Sequence, residues 1–473
     1  MSELHDLTAL EQAAAIQSRE TSAQELTEHY LNRAERLNDQ VGAFVYLDRE
    51  SAFQAAKEAD AQVAAGEVLA EDAPLFGVVC PIKDLTMVAG MPIRFGSKAF
   101  KLDATVDENV VTAVRAGGMV ITGKTNTPEF GLPCYTEPEV APAAKSPWGN
   151  HRSAGGSSGG AAAAVSTGLA PIAHGSDGGG SIRIPSAVTG LVGLKPSRGR
   201  VSNGPIGDGL GDLVVNGPLA RTVADAAALL DVMSMRFAGD PYGAHLPKQG
   251  TFLDAAKREP GSLKIGFYRR GALIDVPIHE EVERALTNTL EALENLGHDI
   301  VEVEPPFGEG LLPIFEVMWT ILAAGIPVPP ELESELRPLT QYLRGRGKEV
   351  AGPDLAAALG TIRTQARISV AAVDDLDVVV APTIADLPAE VGQLRNDDDP
   401  AKDFMDQVKY SPFCSAYNTT GQPAINVPMN WTEGDLPVGI QLVGRMFDEE
   451  TIISLASQLE QSNPWAQRKP ELW

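Results

Sequence analysis

Between residues 152 and 196 the chain reads RSAGGSSGGAAAAVSTGLAPIAHGSDGGGSIRIPSAVTGLVGLKP, and no other stretch restricts the fold as much. Two glycine–serine clusters, residues 155–160 and 177–181, are joined by an Ala-rich segment. Each glycine loses more backbone freedom on folding than any other residue. Such a density is kept where positive φ, a tight turn or close approach to a ligand requires it. A flexible Gly/Ser linker is the plain alternative. The apolar flanks, residues 161–165 and 188–194, argue instead for buried structure on both sides.

Composition sets the frame for that stretch. Of 473 residues 44% are hydrophobic and 21% charged, which suits a large core and excludes global disorder. Asp and Glu outnumber Lys and Arg by 63 to 38, so a polyanion meets a repulsive field and no nucleic-acid partner is expected. The three cysteines, Cys80, Cys134 and Cys414, are widely spaced and odd in number, which fits a reducing cytoplasm better than a disulfide framework. The seven histidines are scattered, with no metal-ligand spacing. The start, MSELHDLTALEQAAAIQ, lacks a basic segment before an apolar run, so no signal peptide is expected. No window approaches the ~18 apolar residues of a membrane span.

Along the chain, Ser22 and Glu25 form a capping box that opens an amphipathic helix to about residue 37, with Leu26, Tyr30, Ala34 and Leu37 on one face. A second, Ala-rich helix spans about residues 49–65. In FGVVCPIKDL, a β-rich run ends at Pro81 and places Lys83 just beyond a strand. A short helix suits residues 107–116. Beyond residue 196 come glycine-rich turns over 204–217, a helix from Thr222 to about Ser234, and a turn-rich connector over 239–261. Strands are expected at 263–268, 298–304 and 377–382, with a helix at 278–296. The stretch 307–361, first Pro-rich and then Ala-rich, suits a cover over a substrate pocket. Alternating helices and β-branched strands predict an α/β fold.

Two motif matches fail on context. GMVITGKT, residues 118–125, has the phosphate-loop pattern, but its middle residues read as a strand and Pro128 disfavours the helix that must follow. GSSGG, residues 156–160, matches a nucleophile elbow with Ser158 as nucleophile, yet no strand precedes it.

A different constellation carries chemistry: Lys83, Ser157 and Ser181, with Gly178, Gly179 and Gly180 leading into Ser181. A serine hydroxyl needs a base to take its proton. His174 is the nearest histidine, with a structural role the better reading; a neutral lysine, lowered in pKa by burial, is the other candidate. Consecutive glycine amides can converge on one point as an oxyanion hole, and a helix start at Ser181 would favour a developing negative charge.

Together, GVVCPIKDL, GKTNTPEFG, Pro147-Trp148, GGSSGG, DGGGSIRIP, GLVGLKP and the late NTTGQPAINVP resemble the amidase signature family, in order and over nearly the whole chain. The two serines lie 24 positions apart, in agreement with it. The resemblance implies one α/β domain, a large mixed twisted sheet covered on both sides by helices. It divides into a helical layer over about 1–65, a catalytic core over about 66–235 and a pocket-forming remainder over about 236–473. It places a nucleophile at Ser181, a relay serine after a cis peptide bond at Ser157 and a general base at Lys83. The oxyanion hole falls on the amides from Gly178 through Gly180 to Ser181. Ser158, Asp177 and Arg183 would support the loop, and Gly131 and Leu132 would line the acyl pocket. No metal and no cofactor are implied. The partner implied is a small-molecule amide, most simply a linear one, with a homodimer left open. DGGGSIRIP looks more like free-standing bacterial amidases than the glutamine-using subunit of the tRNA amidotransferase, which usually carries threonine at the Gly178 position. That subunit and a nucleotide-binding protein using residues 118–125 are the competing readings.

Overall fold

The first helices form where the sequence places their caps. In a computed structural model, which describes residues 3–68, 73–149, 151–207, 211–244, 247–307 and 310–473, the first long helix is Ala23–Val41. Ser22 Oγ accepts the Glu25 amide at 3.0 Å while the Glu25 carboxylate accepts the Ser22 amide at 3.0 Å. Helix Arg49–Ala65 is capped by Asp48 and ends at Gly66, which takes the left-handed φ of 70° that terminates helices cheaply only at glycine. Leu26 and Tyr30 pack with Ala52, Ala56, Ala59 and Phe76, whereas Ala34 and the half-buried Leu37 turn to a neighbouring cluster with Val41 and Ala43.

An eight-stranded mixed sheet forms the centre. In spatial order its strands are Asp299–Glu302, Lys264–Phe267, Val378–Pro382, Pro437–Gly444, Ala424–Trp431, Val192–Lys195, Val215–Ala220 and Ile172–Asp177. The first three run parallel and the remaining pairings are antiparallel. Side chains alternate across it, as a pleated strand requires. Val378, Val380, Ile425, Ile440 and Leu442 face one core with helices Val223–Met233, Glu280–Asn295 and Glu449–Ser462. Val379, Ala381, Ala424 and Val443 face the other side. With both faces covered, the strands read as near-continuous apolar runs.

A second sheet has the order Phe44–Leu47, Gly123–Thr125, Ile82–Lys83. Here the structure differs from the sequence expectation. Pro81 interrupts the ladder without ending it: the Cys80 amide donates to Val120 O at 2.8 Å, Pro81 has no N–H to give, and pairing resumes at Ile82 and Lys83. Lys83 is therefore within a strand, not beyond one. Likewise the strand in GMVITGKT is Gly123–Thr125, with Val120 joined to Val79 by a single bridge, so Lys124 sits in a ladder and no phosphate loop exists.

The turn-rich stretches are mostly irregular, with a short helix at Phe252–Ala255; residues 208–210 and 245–246 of them, and 308–309 of the expected cover, lie outside the described residues. The expected cover contains helices Leu311–Ala324 and Pro338–Lys348, followed by Gly352–Ala371. No helix of the described residues is long and apolar enough to cross a membrane.

Candidate active site

The small sheet meets the edge strand of the large one through His174. Its amide donates to Pro81 O at 3.1 Å, and its Nδ1 accepts the Lys83 amide at 3.3 Å, while Nε2 contacts Asn216 Oδ1 at 2.9 Å. Nδ1 accepts there, so the ring proton sits on Nε2. Burial takes its pKa down to about 3, and with both nitrogens engaged it is a spacer that sets the height of Lys83.

Lys83 is completely buried, and its Nζ lies 2.8 Å from Ser157 Oγ and 3.1 Å from both the carbonyl and hydroxyl oxygens of Ser176. Burial, only partly opposed by the Asp177 carboxylate, lowers its pKa to about 7. A large fraction of this amine is therefore neutral at neutral pH. The Gly156–Ser157 peptide bond is cis, and Ser157 O accepts a hydrogen bond from Thr127 Oγ1 at 3.1 Å. The backbone passes so close to Tyr135 that a Cβ on Gly156 would fall 2.7 Å from its amide nitrogen.

Ser158 joins the two glycine clusters. Its amide donates to Ser181 O at 3.1 Å and its hydroxyl donates to Ser176 O at 3.1 Å, so it is tied up in structure. Asp177 holds the loop before Ser181. Its carboxylate accepts the Gly180 amide at 2.7 Å, the Ile182 amide at 3.1 Å, two Arg183 nitrogens at 3.0 Å and Asn418 Nδ2 at 2.9 Å. Burial alone would raise the pKa of Asp177, but the Arg183 guanidinium and these donors hold it well below the usual carboxylate range. Arg183 is fully buried and completes its shell with Cys414 O, Gln441 Oε1 and Asn418 Oδ1.

These bonds divide the three glycines. The Gly180 N–H, expected in the oxyanion hole, is given to Asp177. Among the described residues, the N–H groups of Gly178, Gly179 and Ser181 have no acceptor. Ser181 opens on a cavity lined on its apolar side by Leu132, Ile184, Leu273, Phe315, Trp319, Phe404 and Val408. Phe315 and Trp319, stacked 5.4 Å apart, come from the stretch expected to cover the pocket. Leu132 is part of this lining. Gly131 instead abuts Ser157.

Asn418, Ser176, Thr127 and Gln441 were not singled out by sequence reasoning. Asn418 and Thr127 carried a signal, as members of NTTGQP and GKTNTPEFG; Ser176 and Gln441 carried none. Among the described residues, the single grouping of three metal-ligating side chains, Glu3, His5 and His29, lies near the chain start, and none of them lines this cavity.

The profile of the Amidase family matches residues 25–453. AmiB2 of Mycobacterium tuberculosis is 37% identical over 98% of both chains. The 6-aminohexanoate-cyclic-dimer hydrolase of Paenarthrobacter ureafaciens is 34% identical over 99% of this chain and 96% of its own. A solved structure of 6-aminohexanoate cyclic dimer hydrolase superposes over the full length of both chains with a TM-score of 0.90 and 30% identity. A bacterial aryl acylamidase of the amidase signature family gives 0.86 and 25% identity over 98% of both chains. The chain therefore belongs to the amidase signature family and is an amide-bond hydrolase.

Proposed function

We propose that the reaction runs through a Ser181 acyl-enzyme with Ser157 as proton relay and Lys83 as base. The observation that carries this reading is the 2.8 Å contact between Ser157 Oγ and a wholly buried lysine amine whose pKa has dropped to about 7. In the first step Ser181 Oγ bonds to the amide carbonyl carbon, its proton passes to Ser157, and the Ser157 proton passes to neutral Lys83. The carbonyl oxygen becomes an oxyanion facing the unengaged amides of Gly178, Gly179 and Ser181. The same relay in reverse protonates the leaving nitrogen as the C–N bond breaks. Ammonia or an amine departs. Water then attacks the ester carbonyl, giving its proton to the relay, and the carboxylic acid is released with Ser181 restored.

The cavity beside Ser181 favours neutral amides with an apolar acyl group. Its described lining holds no Asp, Glu, Lys, Arg or His. The charged ends of glutamine would be desolvated there without partners, a cost of several kcal/mol per ion, which disfavours the amidotransferase reading. Primary aliphatic amides and neutral lactam-type amides, such as the cyclic dimer that gives the hydrolase relatives their name, are the substrates to test first.

Intact-mass labelling with a fluorophosphonate, wild type beside Ser181→Ala, tests the nucleophile. One adduct on the wild type and none on the variant is expected. An adduct that survives in the variant would move the nucleophile elsewhere.

A further inference from the structure

The cavity beside Ser181 holds a polar position that the proposed chemistry leaves unused. Ser415 begins the helix Ser415–Thr420, whose later residue Asn418 donates to the carbonyl and carboxylate of Asp177. Residues three apart share a helix face, so Ser415 is presented to the same glycine loop. The preceding carbonyl, Cys414 O, accepts Arg183 Nη1 at 2.9 Å. The backbone that carries the hydroxyl is therefore held on both sides by buried hydrogen bonds to charged groups. A methyl group placed on Gly179 would sit 3.8 Å from Ser415 Cβ, which puts this serine beside an unengaged loop amide. Ser415 is 2% exposed, lines the cavity with Ser181, and its Oγ has no hydrogen-bond partner.

The other polar groups of the cavity differ. Gln407 is used up, its amide nitrogen donating to Asp403 and its oxygen accepting the Cys134 amide. Ser411 also lacks a partner, but it follows the helix Pro400–Tyr410 and is not tied to the glycine loop. A buried hydroxyl without a partner is costly, and native interiors keep few of them. Where one borders a cavity beside a nucleophile, a ligand is its natural partner.

We infer that Ser415 is a substrate-binding residue that hydrogen-bonds an oxygen carried by the acyl chain close to the scissile carbonyl. The favoured substrates are then neutral amides whose otherwise apolar acyl group bears an ether, hydroxyl or second carbonyl oxygen near that carbon. This rests on the Ser181 reading above and adds a specificity to it.

Butanamide and methoxyacetamide have the same shape and differ by a methylene in place of an oxygen. Their relative kcat/KM, followed by ammonia release, isolates the contact from general reactivity. The ratio of methoxyacetamide to butanamide is expected to fall about tenfold in Ser415→Ala, the effect of one desolvated neutral hydrogen bond. Ser415→Thr, which keeps the hydroxyl, should restore it. An unchanged ratio in Ser415→Ala, or an equal loss on both amides, overturns the inference. Fluorophosphonate labelling of the same proteins separates the two levels: a retained Ser181 adduct with an unchanged ratio defeats only the Ser415 contact, and a wild type that never labels defeats the nucleophile it depends on.

Discussion

Gly131 stands directly against Ser157: a Cβ at its position would lie 3.2 Å from Ser157 Oγ and 2.6 Å from Leu85 Cδ1. Its φ of +69° adds a second reason for glycine, since the left-handed region costs other residues about 1–2 kcal/mol. Leu85 can swing its methyl away, but Ser157 is held between Lys83 and Thr127. Gly131→Ala should therefore damage catalysis more than folding. Displacing the proposed relay hydroxyl by a fraction of an ångström is expected to lower kcat at least tenfold, with a stability loss of about 1–2 kcal/mol in urea denaturation. An alanine variant with kcat within twofold of wild type would show that this glycine does not shape the relay.

The lowered pKa of Lys83 sets the sign of the pH dependence. The neutral amine grows as pH rises toward about 7, so kcat/KM should climb roughly tenfold per unit on the acidic limb and level off above it. Replacing Lys83 by Met removes the proposed base and should abolish that limb with nearly all turnover. Stability moves the other way for the variant. The unfolded chain keeps Lys83 protonated up to its ordinary value of 10.5, so burial costs the wild type most at and below pH 7. Lys83→Met should gain stability over wild type there, and the gain should shrink between pH 7 and 10.5. A flat rate profile from pH 5 to 9 would argue against a lysine base.

Local signals read well from the sequence wherever one segment decides. Ser22 with Glu25, and Thr222, each fix a helix end from within a few residues. The resemblance in DGGGSIRIP pointed to Ser181, Asp177 and Arg183 because the loop that they form is contiguous. What was not legible is what depends on distance. His174 sets Lys83 from 91 positions away, and Asn418 completes the Arg183 shell from 235 away. No periodicity or spacing encodes such contacts. The bond of the Gly180 amide to Asp177 was not legible for a related reason: three glycines look equivalent in a string, and only the turn geometry decides which N–H meets the Asp177 carboxylate.

Asn418→Ala tests whether the far end of the chain positions the loop that carries Ser181, the proposed nucleophile. The side chain donates to Asp177 O at 2.8 Å, to its carboxylate at 2.9 Å and to Leu213 O at 3.1 Å, and accepts Arg183 Nη2 at 2.7 Å. Its removal leaves one N–H of the buried guanidinium without an acceptor, on the nitrogen that Asp177 still holds at 3.0 Å, and costs about 1.5–3 kcal/mol. Chemical denaturation should show that loss. If Asn418 only stabilised the fold, the folded fraction would react with fluorophosphonate at the wild-type rate. A labelling rate at least fivefold slower, measured per folded molecule, is the expected sign of a positioning role.

Lys124 offers the sharpest contrast between motif and structure. In GMVITGKT it occupies the phosphate-binding position, yet its Nζ bonds Asp84 Oδ1 at 2.9 Å and both side chains are buried. Asp84 in turn accepts the Arg94 amide at 3.1 Å, so the pair braces the segment that follows Lys83. Lys124→Met keeps most of the volume and removes only the charge, leaving a buried carboxylate without its counter-ion. Breaking a buried pair this way costs about 3–5 kcal/mol. Burial already raises the Asp84 pKa against the pull of Lys124, and without Lys124 it should rise further. The neutral acid then becomes accessible at mildly acidic pH, so the stability gap between variant and wild type should narrow as pH falls from 8 to 5. Magnesium ATP should leave the melting temperature of the wild type unchanged. A nucleotide-dependent stabilisation that vanished in Lys124→Met would instead restore the phosphate-loop reading.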